Sequence, residues 1–180
     1  MTQPTEVRTA HTADLDVATL MAARSLLEAV FDERWTEHDW EHALGGVHAL
    51  VWERGELVGH ASVVQRRLIH GRRALRAGFV EGVAVRGDRQ GRGYGAAMMA
   101  ELERVVRAAY DLGALSATDE AAGFYAARGW QAWQGPTFAL TPGGVVRTAE
   151  EDGAVQVFQA AHPLDLTGEL TCDWRDGDVW

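Results

Sequence analysis

Hydrophobic and polar positions along this chain switch between two periods, and the switches mark out its elements. A short strand read at residues 7–11 gives way to a 3.6-residue period at 16–31, where Leu20, Ala23, Leu27 and Val30 share one helix face. Thr36-x-x-Asp39 is a capping-box variant that opens a second helix through Trp40 and Leu44, and Gly45-Gly46 stops it. Three strands follow in hairpin order at 47–53, 57–69 and 75–85, with turns at Arg54-Gly55-Glu56 and His70-Gly71-Arg72. A helix from 93 to about 111 turns Met98, Leu102, Val105 and Ala109 inward and leaves Glu103 and Arg107 as an exposed i,i+4 pair. Then come a strand at 114–118, a helix at 120–128 ended by Gly129, and a strand around 130–133. Pro136, Pro142 and Gly143-Gly144 punctuate a looser region before the last obvious strand at 154–159.

This order predicts one α+β domain over residues 1–180: a mixed, mostly antiparallel sheet with flanking helices and one parallel strand pair joined by a crossover helix. The length suits a single core. One cysteine, Cys172, excludes an internal disulfide and fits a reducing compartment. Residues 1–6 have neither a basic nor an apolar leader-like pattern, and no apolar run reaches membrane-spanning length, so a soluble cytoplasmic protein is expected. The net charge is −9, yet residues 60–95 hold eight arginines against only Glu81 and Asp88. A basic hairpin and loop suit phosphates, while the acidic remainder would attract a polycation and repel nucleic acid. For Arg66, Arg67, Arg72 and Arg73 a solvated hairpin face is the plainer reading.

The glycine-rich stretch from Gly82 to Met99 is the strongest chemical signal. Glycines without Cβ let backbone N–H groups approach an anion at a helix start. A phosphate loop ending in G-K-[ST] is excluded, because the chain contains no lysine. Gly91, Gly93 and Ala96 satisfy a dinucleotide fingerprint, with Asp119 as its acid, but five residues, 86–90, separate the strand from the glycines, and antiparallel hairpins precede them. Gln90-x-x-Gly93-x-Gly95 instead resembles the acetyl-CoA signature of the GCN5-related N-acetyltransferases (GNAT). That resemblance implies acetyl-CoA as co-substrate. Backbone groups of Val83, Ala84 and Val85, on a strand splayed from its parallel neighbour, would pair with the pantetheine. Gln90, Gly91, Arg92, Gly93, Tyr94 and Gly95 would hold the pyrophosphate.

A second marker is Ala121-x-x-Phe124-Tyr125-x-x-x-Gly129-Trp130, similar to the family's helix end, in which the tyrosine points toward the thioester sulfur. A phenol with an ordinary pKa near 10 can protonate a departing thiolate of pKa about 8.5. A packing role is the alternative for Tyr125. The acceptor amine needs a base, and Glu81 is the candidate, the only acid in the apolar run 77–85 and placed where a bulge could turn it outward. A structural pairing with Arg66, Arg67 or Arg76 is the competing reading.

Further segments extend the likeness nearly end to end. Thr36-x-x-Asp39-Trp40-Glu41-His42, Gln65-Arg66-Arg67-Leu68, Val80-Glu81-Gly82-Val83, Tyr110-Asp111-Leu112-Gly113 and Cys172-Asp173-Trp174-Arg175-Asp176-Gly177-Asp178-Val179-Trp180 resemble the chromosomal aminoglycoside 2′-N-acetyltransferases of mycobacteria and related actinobacteria. The resemblance implies acetyl transfer to the 2′-amine of an aminoglycoside such as tobramycin, by a cytoplasmic homodimer. Glu81 and Gly82 would contact the drug, and Asp39, Ser116, Glu151, Asp178 and the Trp180 carboxylate would hold its amines and hydroxyls. Arg34 stands where that family has an acid, and Glu151 where it has an aspartate. His42, His48 and His60 lie in different elements, so no metal site is expected. Trp52, Trp130 and Trp133 read as packing, while Trp174 and Trp180 belong either to a frayed tail or to a lid. Another amine acetyltransferase of the same fold, or a non-catalytic CoA- or drug-binding module, are the alternatives.

Overall fold

The computed structural model describes residues 6–180, so most of the segment 1–6 considered for a leader pattern lies outside the described residues. Its contacts divide the chain into two compact units. Unit 1 comprises residues up to 64 and 80–104; unit 2 comprises 65–79 and 105–180.

In unit 1, strand β1 (Glu6–His11) pairs antiparallel with β2 (Val47–Glu53), which pairs with the first part of β3 (Glu56–His70). Between β1 and β2 lie helices α1 (Val17–Phe31) and α2 (Glu37–His42). Asp16 caps α1 by accepting from the Thr19 N–H at 2.7 Å, and Thr36 with Asp39 forms the expected capping box on α2. Ala23, Leu26 and Leu27 of α1 pack with Trp40, Leu50, Leu57 and Ala84, each full burial of a leucine contributing about 1.5–3 kcal/mol. Leu20 and Val30 complete this face at its edge, as the periodicity predicts. Gly46 is required by a close approach, since a Cβ there would lie 1.9 Å from the Val63 carbonyl oxygen.

The end of β4 (Arg73–Val85) also belongs to unit 1, as does most of α3 (Tyr94–Ala109). The inner face of α3 differs from expectation. Met98, Met99, Leu102 and Val106 are buried, while Val105 is half-buried and Ala109 exposed. Glu103 is not the exposed partner of Arg107: it is 4% exposed, on the face of Met99 and Leu102. The stripe is rotated by one residue because Met99, rather than Val105, sets its centre. Arg107 instead places its guanidinium 4.7 Å above the Phe158 ring.

In unit 2, β4 pairs parallel with β5 (Leu112–Ser116) through Ala77↔Leu112, Gly78↔Gly113 and Phe79↔Ala114. β4 then runs on to Val85. β5 pairs antiparallel with β9 (Val155–Gln159), and β9 with the short β6 (Gln131–Ala132), which follows α4 (Asp119–Ala126). The region read as loose is ordered: β7 (Thr137–Thr141) and β8 (Gly144–Arg147) form a hairpin. A further strand, β10 (Leu170–Cys172), pairs antiparallel with β3 and parallel with β7, so 154–159 is not the last strand. Arg66 also departs from expectation. Alternation along β3 turns it inward with Leu68, and it is 4% exposed, stacked over Phe79 at 4.6 Å and paired with Asp173 at 2.8 Å. Arg67, Arg72 and Arg73 remain on the exposed face.

Candidate active site

The glycine loop of unit 1 has the geometry its sequence demands. Along the end of β4, Ala84 is buried and Val83 and Val85 are half-buried, so two alternate residues present the outer side of the strand. A 3-10 turn at Gly87–Arg89 leads to Gln90, whose side-chain amide donates to the Val85 carbonyl at 3.3 Å and ties the loop back to its strand. Gly91 (φ +74°) and Gly93 (φ +82°) are left-handed, and a Cβ at either would meet open space. The Gly93 carbonyl accepts from the Ala97 N–H at 3.0 Å and starts α3. The first N–H groups of a 16-residue helix, at a loop with this clearance, suit a pyrophosphate.

The loop arginines are held by carboxylates. Arg86 pairs with Glu56 at 2.9 Å and Asp88 at 2.7 Å, and Arg89 with Glu53 and Asp88, both at 2.6 Å. Both guanidiniums fix the loop's shape. Arg92, 3.5 Å from Glu53, is the more open of the three, with a side chain 49% exposed.

Glu81 and Gly82 sit where β4 loses regularity. Gly82 is left-handed at φ +56°, and its Cβ position lies 3.3–3.4 Å from Leu27 and the His60 ring. The Gly82 carbonyl accepts from His60 Nδ1 at 2.8 Å, and the Glu81 carbonyl from the Ser62 hydroxyl at 3.4 Å. Side chains of β3 thus serve two successive β4 carbonyls. Of the three arginines considered beside Glu81, Arg66 pairs with Asp173 at 2.8 Å and Arg76 with Asp111 at 3.1 Å. Asp39 is half-buried, and its Oδ2 accepts from both the Thr36 N–H and hydroxyl at 2.8 Å, committing that oxygen to the cap. Arg34 is exposed, within 3.4 Å of the Phe31 carbonyl.

Unit 2 holds Tyr125 and brings four other predicted residues together. Tyr125 is 7% exposed near the end of α4, edge-on to Phe124 and Trp130, and burial pushes its phenol up to about 12. Ser116, at the end of β5, donates to Glu151 at 2.8 Å. Burial raises the Glu151 pKa; the Ser116 hydrogen bond opposes this, and the charges of Asp178 and Glu150 add to it. The tail is docked. Trp180 is 3% exposed, its indole N–H donates to Thr148 at 3.0 Å, its main-chain N–H donates to Asp178 at 3.2 Å, and Arg175 donates to its main-chain oxygen at 2.9 Å. Thr148 in turn donates to Thr137 at 2.8 Å. Ser116, Glu151, Asp178 and Trp180 therefore form one acidic cluster.

Reading the sequence missed the histidines. His48 and His60 do lie in different elements, β2 and β3, yet their ring nitrogens are 2.9 Å apart and both rings are fully buried. The signal was hidden by a bulge. The Arg54-Gly55 hairpin pairs Trp52 with Leu57, a register that would put His48 and His60 on opposite faces. A one-residue shift between Val51 and Trp52 pairs His48 with Ser62 and Leu50 with His60 instead, on one face.

The strand, glycine loop and helix start of unit 1 have the form of an acyl-CoA site, and a comparison with known families gives an acyltransferase. The model of the Acetyltransferase (GNAT) family matches residues 16–130, across both units, and this chain belongs to that family. An aminoglycoside 2′-N-acetyltransferase from Mycolicibacterium fortuitum is 52% identical to it over 177 residues, covering 96% of this chain and 91% of the relative. Among solved structures, the Escherichia coli acetyltransferase YhbS in complex with CoA has a TM-score of 0.65 at 15% identity, covering 96% of this chain and 93% of that one. Escherichia coli ElaA has a TM-score of 0.61 at 20% identity, covering 87% and 100%. The chain has the GNAT fold, a mixed sheet with flanking helices.

Proposed function

We propose that this protein transfers the acetyl group of acetyl-CoA to the 2′-amine of aminoglycosides, acting as a cytoplasmic homodimer of single GNAT domains. The observation that carries the reading is the reach of the 52% identity. It spans 96% of the chain, and so extends well past the family match ending at residue 130, into the segment that supplies Glu151. Acetyl-CoA supplies the thioester. The backbone of Val83, Ala84 and Val85 and the loop from Gln90 to Gly95 bind it, the phosphates meeting N–H groups rather than the carboxylate-paired Arg86 and Arg89. Asp39, Ser116, Glu151, Asp178 and Trp180 hold the polyammonium acceptor through charge-assisted hydrogen bonds. Glu81 takes a proton from the ammonium through one water, since only the free amine has the lone pair to attack. Tyr125, neutral at assay pH, returns a proton to the sulfur as it leaves. A C–N bond forms and a C–S bond breaks, and two protons leave the nitrogen: the one Glu81 takes from the ammonium passes to solvent, and the one lost as the amine adds to the carbonyl replaces the proton that Tyr125 gives to the sulfur.

Thiol release from acetyl-CoA tests this with aminoglycoside pairs that differ only in a 2′-amine or 2′-hydroxyl. Release with the amine alone is expected. Equal release with both overturns the regiospecificity, and none with either overturns the acceptor.

A further inference from the structure

Four elements of unit 1 contribute to a buried chain of hydrogen bonds that ends on Gly82. The Gly82 carbonyl lies 2.8 Å from His60 Nδ1, and a carbonyl can only accept, so the His60 proton sits on Nδ1 and Nε2 is bare. That bare nitrogen lies 2.9 Å from His48 Nδ1, which must therefore carry the His48 proton. His48 Nε2 is then bare in turn, and accepts from the Thr12 hydroxyl at 2.7 Å, shorter than that hydroxyl's 3.3 Å to the Gly46 carbonyl. Thr12 is oriented by accepting the Gly45 N–H at 2.9 Å. Each ring proton has one place, and both point toward Gly82.

The arrangement costs more than a strand needs. An ordinary antiparallel ladder would satisfy the Gly82 carbonyl by backbone alone, whereas here two imidazoles with no exposed surface are buried to do it. The peptide they reach is singular. Its oxygen belongs to Gly82, its N–H belongs to Val83, and the residue before it is Glu81. A hydrogen bond to the oxygen fixes that peptide plane and polarises its N–H.

We infer that His60, backed by His48 and Thr12, is a positioning residue that fixes the Gly82–Val83 peptide, and so holds Glu81 toward the acceptor and the Val83 N–H toward the cofactor. The inference rests on the roles proposed above for Glu81 and Val83. His60→Leu deletes the donor. His60→Asn leaves an amide N–H near the place of Nδ1.

In the full-length protein, His60→Leu is expected to lower kcat with a 2′-amine aminoglycoside about tenfold, the worth of one buried hydrogen bond, while the acetyl-CoA dissociation constant moves less than about threefold. His60→Asn is expected to restore kcat to within about threefold of wild type, because it keeps that bond. Equal losses in the two variants, or none in His60→Leu, overturn the relay. Should His60→Leu fail to fold, nitrogen-15 spectra of the wild-type imidazoles decide: protons on Nδ1 of both rings are expected, and a proton on Nε2 of either overturns the relay. Wild-type protein that binds acetyl-CoA but transfers nothing to a 2′-amine overturns the acceptor reading first, and the relay with it.

Discussion

A phenol pushed up to about 12 by burial stays protonated throughout any practical assay range, so the role proposed for Tyr125 is that of a proton donor and not a base. Tyr125→Phe keeps the ring between Phe124 and Trp130 and removes only the proton. It is expected to lower kcat about 100-fold in steady-state assays, with a change in acetyl-CoA KM below about threefold. An unchanged kcat would leave Tyr125 a packing residue. Glu151 makes the opposite kind of prediction, on the acceptor side. Burial, with the charges of Asp178 and Glu150, raises its pKa, so it takes up a proton at higher pH than an ordinary glutamate and loses its attraction for an ammonium there. The aminoglycoside KM of the wild type is expected to rise as pH falls through that raised value. In Glu151→Gln it is expected to lie about tenfold higher at neutral pH and to lose this pH-dependent step. The same step in both proteins would place the titration elsewhere.

Among the elements, the glycine loop gives the clearest test. At Gly93 a methyl group meets nothing within 4 Å, yet φ is +82°, so Gly93→Ala strains the backbone without a clash. A loss of about 1 kcal/mol in urea unfolding is expected. Calorimetry is expected to show weaker acetyl-CoA binding, because the first N–H groups of α3 are re-aimed; unchanged binding would remove the loop from the site. This loop was legible because its constraint is local: positive φ calls for glycine whatever surrounds it. The α1 face and the capping box of α2 were legible for the same reason. Elsewhere long-range register decided. One inserted residue at Val51/Trp52 put His48 beside His60, and alternation beyond Gln65 buried Arg66 against a tail residue, Asp173, more than a hundred positions away. Prolines and paired glycines at 136–144 punctuate a hairpin as readily as a loop, which concealed β7 and β8. The docked tail was illegible because its partners, Thr148 and Arg175, are ordinary residues until the fold brings them under Trp180.

At the scale of the molecule, the two buried histidines tie global stability to pH in a window of their own. Desolvation lowers His48 to about 3, with the charges of His60 and His11 adding to it, and lowers His60 to about 4 against the opposing hydrogen bond to Gly82. Both folded values lie below the unfolded 6.5, so above that pH neither state binds the extra protons and the full stability is present. As pH falls below it, the unfolded chain takes up two protons that the folded chain refuses. Each histidine then removes up to about 1.4 kcal/mol per pH unit, or about 4 kcal/mol for the pair by pH 5. Asp88, Asp111 and Asp152, held low by hydrogen bonds to Arg86, Arg76 and Arg147, begin to cost stability only in more acid solution. Urea midpoints measured at pH 7 and pH 5 therefore report chiefly on His48 and His60. The wild-type midpoint is expected to fall steeply between them. In a His48→Gln/His60→Gln protein it is expected to start lower and change little, since a glutamine has no proton to gain. Equal slopes in the two proteins would mean that the rings titrate in the folded state as they do in the unfolded one, and would remove the buried pair as the source of the acid sensitivity.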